Sequence, residues 1–383
     1  MIPKLIHAGF DSVYVALKGA FPVETIEQLK ASRERAAERQ ETRLVRIGPA
    51  GEPMHLAPSG LSGGYAFRGD TGPLGEMLAF KANLNADDWN AFASLHASTL
   101  ASLGLPAARE QLFARLDRMG FAVRAHSVNR IDYAADFDAP GFELRLENFI
   151  AHARTKIRPH YGAPTFDRSD PHHPSTVLRG RRVESATIGT MPGQQIIVYD
   201  KRAEALAQRK MFWFKRWGVD PADRSAEIWR VEVRAGKKHL KDRWQLDTFA
   251  DTDQAIGDVI RQALDSVRYV APGQLDSNVT RLQLDPLWRA MIDHVEGGLY
   301  DFRAGLLPSE VKEIERQLAI DTYTSLALGN IAALAVALGM EDQAIEARLG
   351  MRIAKIIGAA LNDPAKRFQR SVDRTRERLH FIA

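Results

Sequence analysis

Between residues 123 and 138 polar and apolar side chains alternate, most strictly from Arg130 onward. Successive side chains on a strand point to opposite faces, so the spacing predicts a strand with Ile131, Tyr133, Ala135 and Phe137 on one side. Arg130, Asp132, Ala134 and Asp136 then share the other. Two later segments repeat the arrangement. Residues 195–201 place Ile197, Tyr199 and Lys201 opposite Ile196, Val198 and Asp200, and residues 228–235 place Arg230, Glu232 and Arg234 opposite Trp229, Val231 and Val233. If all three lie in one sheet with their apolar sides on a helical layer, their polar sides meet. That surface holds Arg130, Asp132, Asp136, Tyr199, Lys201, Arg230 and Glu232.

The rest of the chain divides in two. Upstream, residues 12–18 and 76–83 read as strands and 24–43 as a charged helix. The Gly- and Pro-rich stretch 48–75 reads as loops and hairpin turns around a short strand at 65–68. Residues 87–103 and 107–119 carry helical spacing. After about residue 245 the alternation stops, and 252–267, 286–296, 309–338, 341–357 and 363–379 read as helices, some with Asp or Ser at capping positions. The expected fold class is α+β, with a mainly antiparallel sheet and its helices over residues 1–247. An all-helical C-terminal domain over 248–383 follows.

With 383 residues, 45% hydrophobic and 26% charged, the chain can bury a large core and hold two or three domains. It has no cysteine, which excludes disulfides, thiolate metal sites and a cysteine nucleophile. The first residues read as a strand rather than a leader, and the most apolar stretch, 326–340, is interrupted by Gly329, Asn330 and Gly339. A soluble cytoplasmic protein is expected. The net charge of +4 favours a polyanionic partner, and its distribution is uneven. Arg154, Lys156, Arg158, Arg168, Arg179, Arg181 and Arg182 face only Asp167 and Asp170. In the last predicted helix Lys366, Arg367, Arg370, Arg374, Arg376 and Arg378 outnumber Asp363, Asp373 and Glu377. Each cluster reads either as a solvated surface or as a phosphate contact.

A phenol, with an ordinary pKa near ~10, attacks phosphorus poorly unless the phenolate is stabilised. Lys201 beside Tyr199 supplies part of that. Carboxylates beside an anionic substrate make sense if they hold a hard cation, so Asp132 and Glu232, with Asp136 as a third, are candidate ligands for Mg²⁺ or Mn²⁺. Arg130 and Arg230 would neutralise phosphate oxygens or orient the carboxylates. The structural alternative is a half-buried tyrosine beside ordinary ion pairs.

The segments NRIDYAADF (129–137), VYDKRAE (198–204) and WRVEV (229–233) resemble, in this order, the hallmark segments of the plasmid and filamentous-phage replication initiation factor family, often called Rep_trans. That family includes rolling-circle initiators and relaxases of integrative conjugative elements. The resemblance spans about residues 11–244 and does not reach the helical C-terminal part. It implies that Tyr199 is a nucleophile forming a covalent phosphotyrosine on one DNA strand, and that Asp132 and Glu232 are metal ligands. Lys201 and Arg230 also match family positions. Two departures fall where the family contacts substrate phosphate: Gly189-Thr-Met191 replaces a Gly-Ser-Arg type turn, and Ile197 replaces a basic residue. The implied partners are an exposed or extruded single-stranded origin and the host helicase and polymerase. A mobilisation relaxase would make the same cut, and a repressor or origin marker would bind without cutting.

Other candidates carry less. His172 and His173 lie between prolines, unlike the histidine pair of the other large nickase class, and His126 reads as a line of the site or a structural histidine. No Walker-type loop occurs, so ATP hydrolysis is not expected. Phe212, Trp213, Phe214 and Trp217, interleaved with Lys210, Lys215 and Arg216, read either as a base-stacking patch or as the edge of a helix packed on the sheet. The basic last helix suggests duplex contact or origin choice, and the apolar run 331–338 suggests core or the seam of a homodimer.

Overall fold

The computed structural model describes residues 2–160, 165–166, 174–175, 183–274, 276, 278–279, 281–299 and 308–382. The strands are β1 (Lys4–Ala20), β2 (Arg43–Ile47), β3 (Glu52–Leu56), β4 (Phe67–Asp70), β5 (Glu76–Phe80), β6 (Trp89–Leu95), β7 (Ala122–Asp138), β8 (Phe149–Ala151), β9 (Ile157–His160), β10 (Thr165–Phe166), β11 (Pro174–Ser175), β12 (Ser185–Gly189), β13 (Gln194–Asp200), β14 (Ile228–Gly236) and β15 (Val267–Tyr269). The helices are α1 (Val23–Arg39), α2 (Ala97–Arg118), α3 (Lys201–Ala207), α4 (Phe212–Trp217), α5 (Phe249–Ser266), α6 (Pro286–Glu296), α7 (Pro308–Ala337), α8 (Asp342–Leu361) and α9 (Arg367–Arg378).

Eleven strands form one antiparallel sheet in the order β2-β3-β4-β5-β6-β1-β7-β14-β13-β12-β9, so the fold is α+β with helices following the sheet. Its spine is the pairing of two 17-residue strands, β1 and β7, from Lys4 opposite Asp138 to Ala20 opposite Ala122. Register shifts along that pair bend and twist it, which lets such long strands carry covering layers on both faces. On β7, β14 and β13 the three segments singled out by alternation are immediate neighbours.

The apolar face of those strands is covered by α5 and α6. Phe137, Trp229, Val231 and Val198 share a core with Val259, Ile260, Leu287, Trp288 and Met291. The phenol of Tyr133 contacts Nε2 of His294 at 2.7 Å. The core therefore runs through residue 247 without a break, and the helices from Phe249 to Glu296 form a layer of the sheet's own core. Helix α5 is held at its start by a capping box in which Thr248 and Asp251 exchange hydrogen bonds.

Two expectations differ from the structure. The helix expected over 87–103 is a strand, β6, followed by the start of α2, and α2 is broken at Gly104 (φ 76°) beside Pro106. The run from Ala91 to Leu95 satisfies both periods, and pairing with β1 and β5 decides it. Second, by length and composition α7 contains a stretch, Lys312–Ala337 (26 residues), long and apolar enough to cross a membrane. The interruptions at Gly329 and Asn330 were too slight to exclude it. Val336 and Leu338, in the run read as core or dimer seam, are exposed. Helix α9 docks on the sheet edge, where His55 Nε2 meets the carbonyl oxygen of Glu377 at 2.5 Å and the ring of Phe381 packs on His55.

Candidate active site

Tyr199 stands one residue from the end of β13, opposite Arg230 on β14. The strand stops at Asp200 because that side chain turns back to cap α3, accepting the backbone N–H of Ala203 at 2.9 Å. Lys201 is thus the first residue of a helix rather than a strand residue. Its Nζ nevertheless reaches the Tyr199 phenol oxygen at 3.4 Å, and it pairs with Glu204 one helical turn later at 2.7 Å.

All seven side chains expected on the polar face lie in one connected layer. Tyr199 donates to Glu232 Oε2 at 3.1 Å, and Glu232 Oε1 accepts from Arg234 Nε at 2.6 Å. Arg234 also approaches Asp132, at 3.8 Å, and Asp132 is gripped by both ends of the Arg130 guanidinium at 2.8 and 2.5 Å. On the other side Arg230 holds Asp136 at 2.5 and 2.9 Å and Asp11 at 2.5 Å, while Trp217 Nε1 donates to Asp136 at 2.9 Å. Lys210 joins at Glu204, 2.7 Å away.

This layer is closed rather than open. Tyr199 is only 3% exposed, and Asp132, Asp136, Arg230 and Glu232 are buried. The roof is α4, whose Trp213 ring lies over Arg230 at 4.4 Å and over Lys201 at 5.1 Å. Its aromatic residues Phe212, Trp213, Phe214 and Trp217 are buried in their own cluster with Ala205 and Ile228. They are packing on the sheet, and the base-stacking reading of this patch does not hold. Helix α7 backs the roof, with Lys215 paired to Glu310 at 2.7 Å and Arg209 donating to Thr322 at 3.1 Å.

Burial dictates the titration of this layer. It pushes the Tyr199 phenol well above the ordinary range, reinforced by the Glu232 charge, so the phenol is protonated at neutral pH. Burial, then the neighbouring Arg230, lowers Lys201. Burial also raises Asp132 despite Arg130 and Arg234, whereas at Asp136 the Arg230 charge and hydrogen bonds overcome burial and hold the carboxyl low. His7, against Trp213, falls to about 3 because it is desolvated.

The expected divalent cation does not fit this donor set as it is folded. Asp132 and Glu232 already share the Arg234 guanidinium, and Asp136 is saturated by Arg230 and Trp217. The named carboxylates of the layer, Asp11, Asp132, Asp136, Glu204 and Glu232, are matched by Arg130, Lys201, Lys210, Arg230 and Arg234. A dication would leave an excess of buried positive charge unless Arg234 withdrew. Among the described residues no group of three His, Asp or Glu side chains is placed to hold a metal.

Sequence reasoning passed over Asp11, Glu204 and Arg234. Arg234 was legible, since alternation sets it on the face of Arg230 and Glu232. Asp11 was not, because it arrives from β1 through a register shift near residues 10–12. His126 accepts the backbone N–H of Phe249 at 3.1 Å and is structural. His172, His173, Arg168, Arg179, Arg181 and Arg182 lie outside the described residues.

No protein-family model and no curated protein matches the chain. Among solved structures, a rolling circle replication initiator protein from Geobacillus stearothermophilus is similar at 13% identity and a TM-score of 0.42, covering 79% of this chain and 99% of that one.

Proposed function

We propose that the chain is a tyrosine-dependent DNA nickase of the kind that starts rolling-circle replication, with Tyr199 as the nucleophile. The observation that carries this reading is the donation from Tyr199 to Glu232, with Lys201 at the same phenol oxygen. A buried phenol needs one hydrogen-bond partner, and this one meets both a carboxylate and an ammonium group. The three motifs that resemble the replication initiation factors support it, because all three converge on this layer.

In this reading Glu232 accepts the phenol proton as the Tyr199 oxygen bonds to phosphorus. The bond from phosphorus to the 3′ oxygen breaks, and Lys201, its acidity increased by burial, gives that oxygen a proton. The products are a phosphotyrosine and a free 3′ hydroxyl. That hydroxyl is a primer for a host polymerase, and the phosphotyrosine keeps the bond energy needed for rejoining. Arg230 and Arg234 border the place where phosphate charge gathers. No step passes through a metal.

A second reading has a specific observation behind it. The closed roof and fully paired ions suit a protein that binds an origin without cutting it. Incubation of supercoiled plasmid carrying the origin separates the two. Nicked circles with the wild type but not with Tyr199→Phe support the nickase, and tight binding with no nick by either protein supports the binder.

A further inference from the structure

The edge strand β2, with the end of α1 before it, and the last helix of the chain meet to form a basic cleft that the nicking chemistry does not use. Arg39 ends α1 and Arg43 begins β2, the edge strand. Across from them, Arg367, Arg370, Arg374 and Arg378 on α9 repeat at intervals of three and four, which lines them along one side of the helix. At 1.5 Å per residue this stripe is about 16 Å long. The six side chains border a cavity of about 970 Å³.

Among the described residues three carboxylates, Glu41, Asp373 and Glu377, share the lining, and a fourth, Asp363, pairs with Arg367 at 2.8 Å. The Arg374–Glu41 pair is long, at 3.7 Å, and half exposed, so it holds little of the positive charge. The hydroxyls of Thr42, Ser371 and Thr375 complete the wall. Guanidinium groups with hydroxyls between them are the donors that phosphodiester oxygens select. Among the described residues no aromatic side chain lines the cleft, so it offers bases nothing to stack on, which favours a duplex backbone over an unwound strand.

We infer that this cleft seats the phosphate backbone of duplex DNA flanking the cut. Its role beside a cut rests on the Tyr199 reading, whereas duplex binding by the cleft does not. Eight strand-to-strand steps separate β2 from β13. At ~4.8 Å each they put the cleft about 38 Å from Tyr199 along the sheet. That is close to one turn of duplex, about 34–36 Å. A double helix lying on the edge would place an opened strand near β13.

The test is fluorescence anisotropy of the full chain with a labelled 30-base-pair duplex lacking the origin, across a salt series. Two double variants are compared, Arg370→Gln with Arg374→Gln on the helix and Arg39→Gln with Arg43→Gln at the edge. All four residues are at the surface, so the fold is retained. Each pair should lower affinity at least about tenfold and reduce the log–log salt slope by about 2. Covalent trapping of a single-stranded oligonucleotide by Tyr199 should be unchanged. Unaltered duplex affinity in either double variant would overturn the cleft, as would equal affinity for single strands or full competition by equimolar tripolyphosphate. Weakened duplex binding without any trapped oligonucleotide in the wild type would uphold the cleft and sink the nickase.

Discussion

The phenol of Tyr199 and the carboxylate of Glu232 stand 3.1 Å apart on neighbouring strands, offset by two residues in the register. A donor that burial holds protonated thus faces an acceptor whose other oxygen is anchored by Arg234. Tyr199→Phe removes the hydroxyl alone, so it should abolish nicking with a stability change of about 1 kcal/mol. Glu232→Gln keeps a hydrogen-bond acceptor and should slow nicking by about 10²–10⁴-fold. Single-turnover nicking against pH, with urea unfolding of each variant, measures both. A Glu232→Gln rate within threefold of the wild type would remove Glu232 as the proton acceptor.

Arg230 is fully buried and is the counterion of Asp136 and Asp11. Arg230→Ala leaves those two acids without it and should cost about 3–5 kcal/mol, read as a drop in the urea midpoint. Arg230→Met with Asp136→Leu removes both charges and should cost less than the single alanine variant. A single variant within 1 kcal/mol of the wild type would show that the layer is wetter than the structure has it.

Acid should destabilise the fold through His7. Its ordinary value is 6.5 and burial lowers the folded value to about 3, with Asp136, Arg230, Arg216 and Asp11 around it. The unfolded chain therefore binds a proton that the folded chain refuses. Stability is full above pH 6.5 and falls toward pH 3, by up to about 1.4 kcal/mol per pH unit. Glu204, held at about 2, adds to the loss below pH 4.5. Urea midpoints between pH 7 and 5 should fall in the wild type and fall less steeply in His7→Gln, the remaining slope coming from His126, His239, His294 and His380, which burial also lowers.

Access to the phenol requires α4 to move, because Trp213 and its neighbours cover the layer. Lys215→Ala with Arg209→Ala releases α4 and the turn that precedes it from Glu310 and Thr322 on α7. Exposed contacts of this kind hold about 1 kcal/mol or less each, so covalent trapping should quicken by no more than several-fold. Hydrogen exchange over residues 210–218 should quicken with it. An unchanged rate in both measurements would place the opening elsewhere.

Much of this site was legible in the chain because a strand's period of two is rigid. Once Asp132, Tyr199 and Glu232 were each set on a polar face, antiparallel pairing of β7, β14 and β13 brought them together. What alternation could not give was the far side of the layer. The roof comes from Trp213 on a six-residue helix too short to have a period, and Asp11 arrives through an irregular register. For the divalent ion expected from paired carboxylates the obstacle is different. Asp132 and Glu232 are answered first by arginines two residues away on their own strands, Arg130 and Arg234, and only the longer approach of Arg234 to Asp132 crosses between strands. Likewise, the arginine stripe of α9 was visible as charge, but its union with Arg39 and Arg43 needed the fold.

The most direct test is to incubate the protein with a single-stranded origin oligonucleotide, in chelator and in Mg²⁺, and to map any covalent adduct by peptide mass spectrometry. A phosphotyrosine at Tyr199 that forms in chelator and is absent from Tyr199→Phe is the predicted result. An adduct on another residue, or none under either condition, would contradict the assignment of Tyr199, and an adduct at Tyr199 only with Mg²⁺ would contradict its metal-free activation by Glu232.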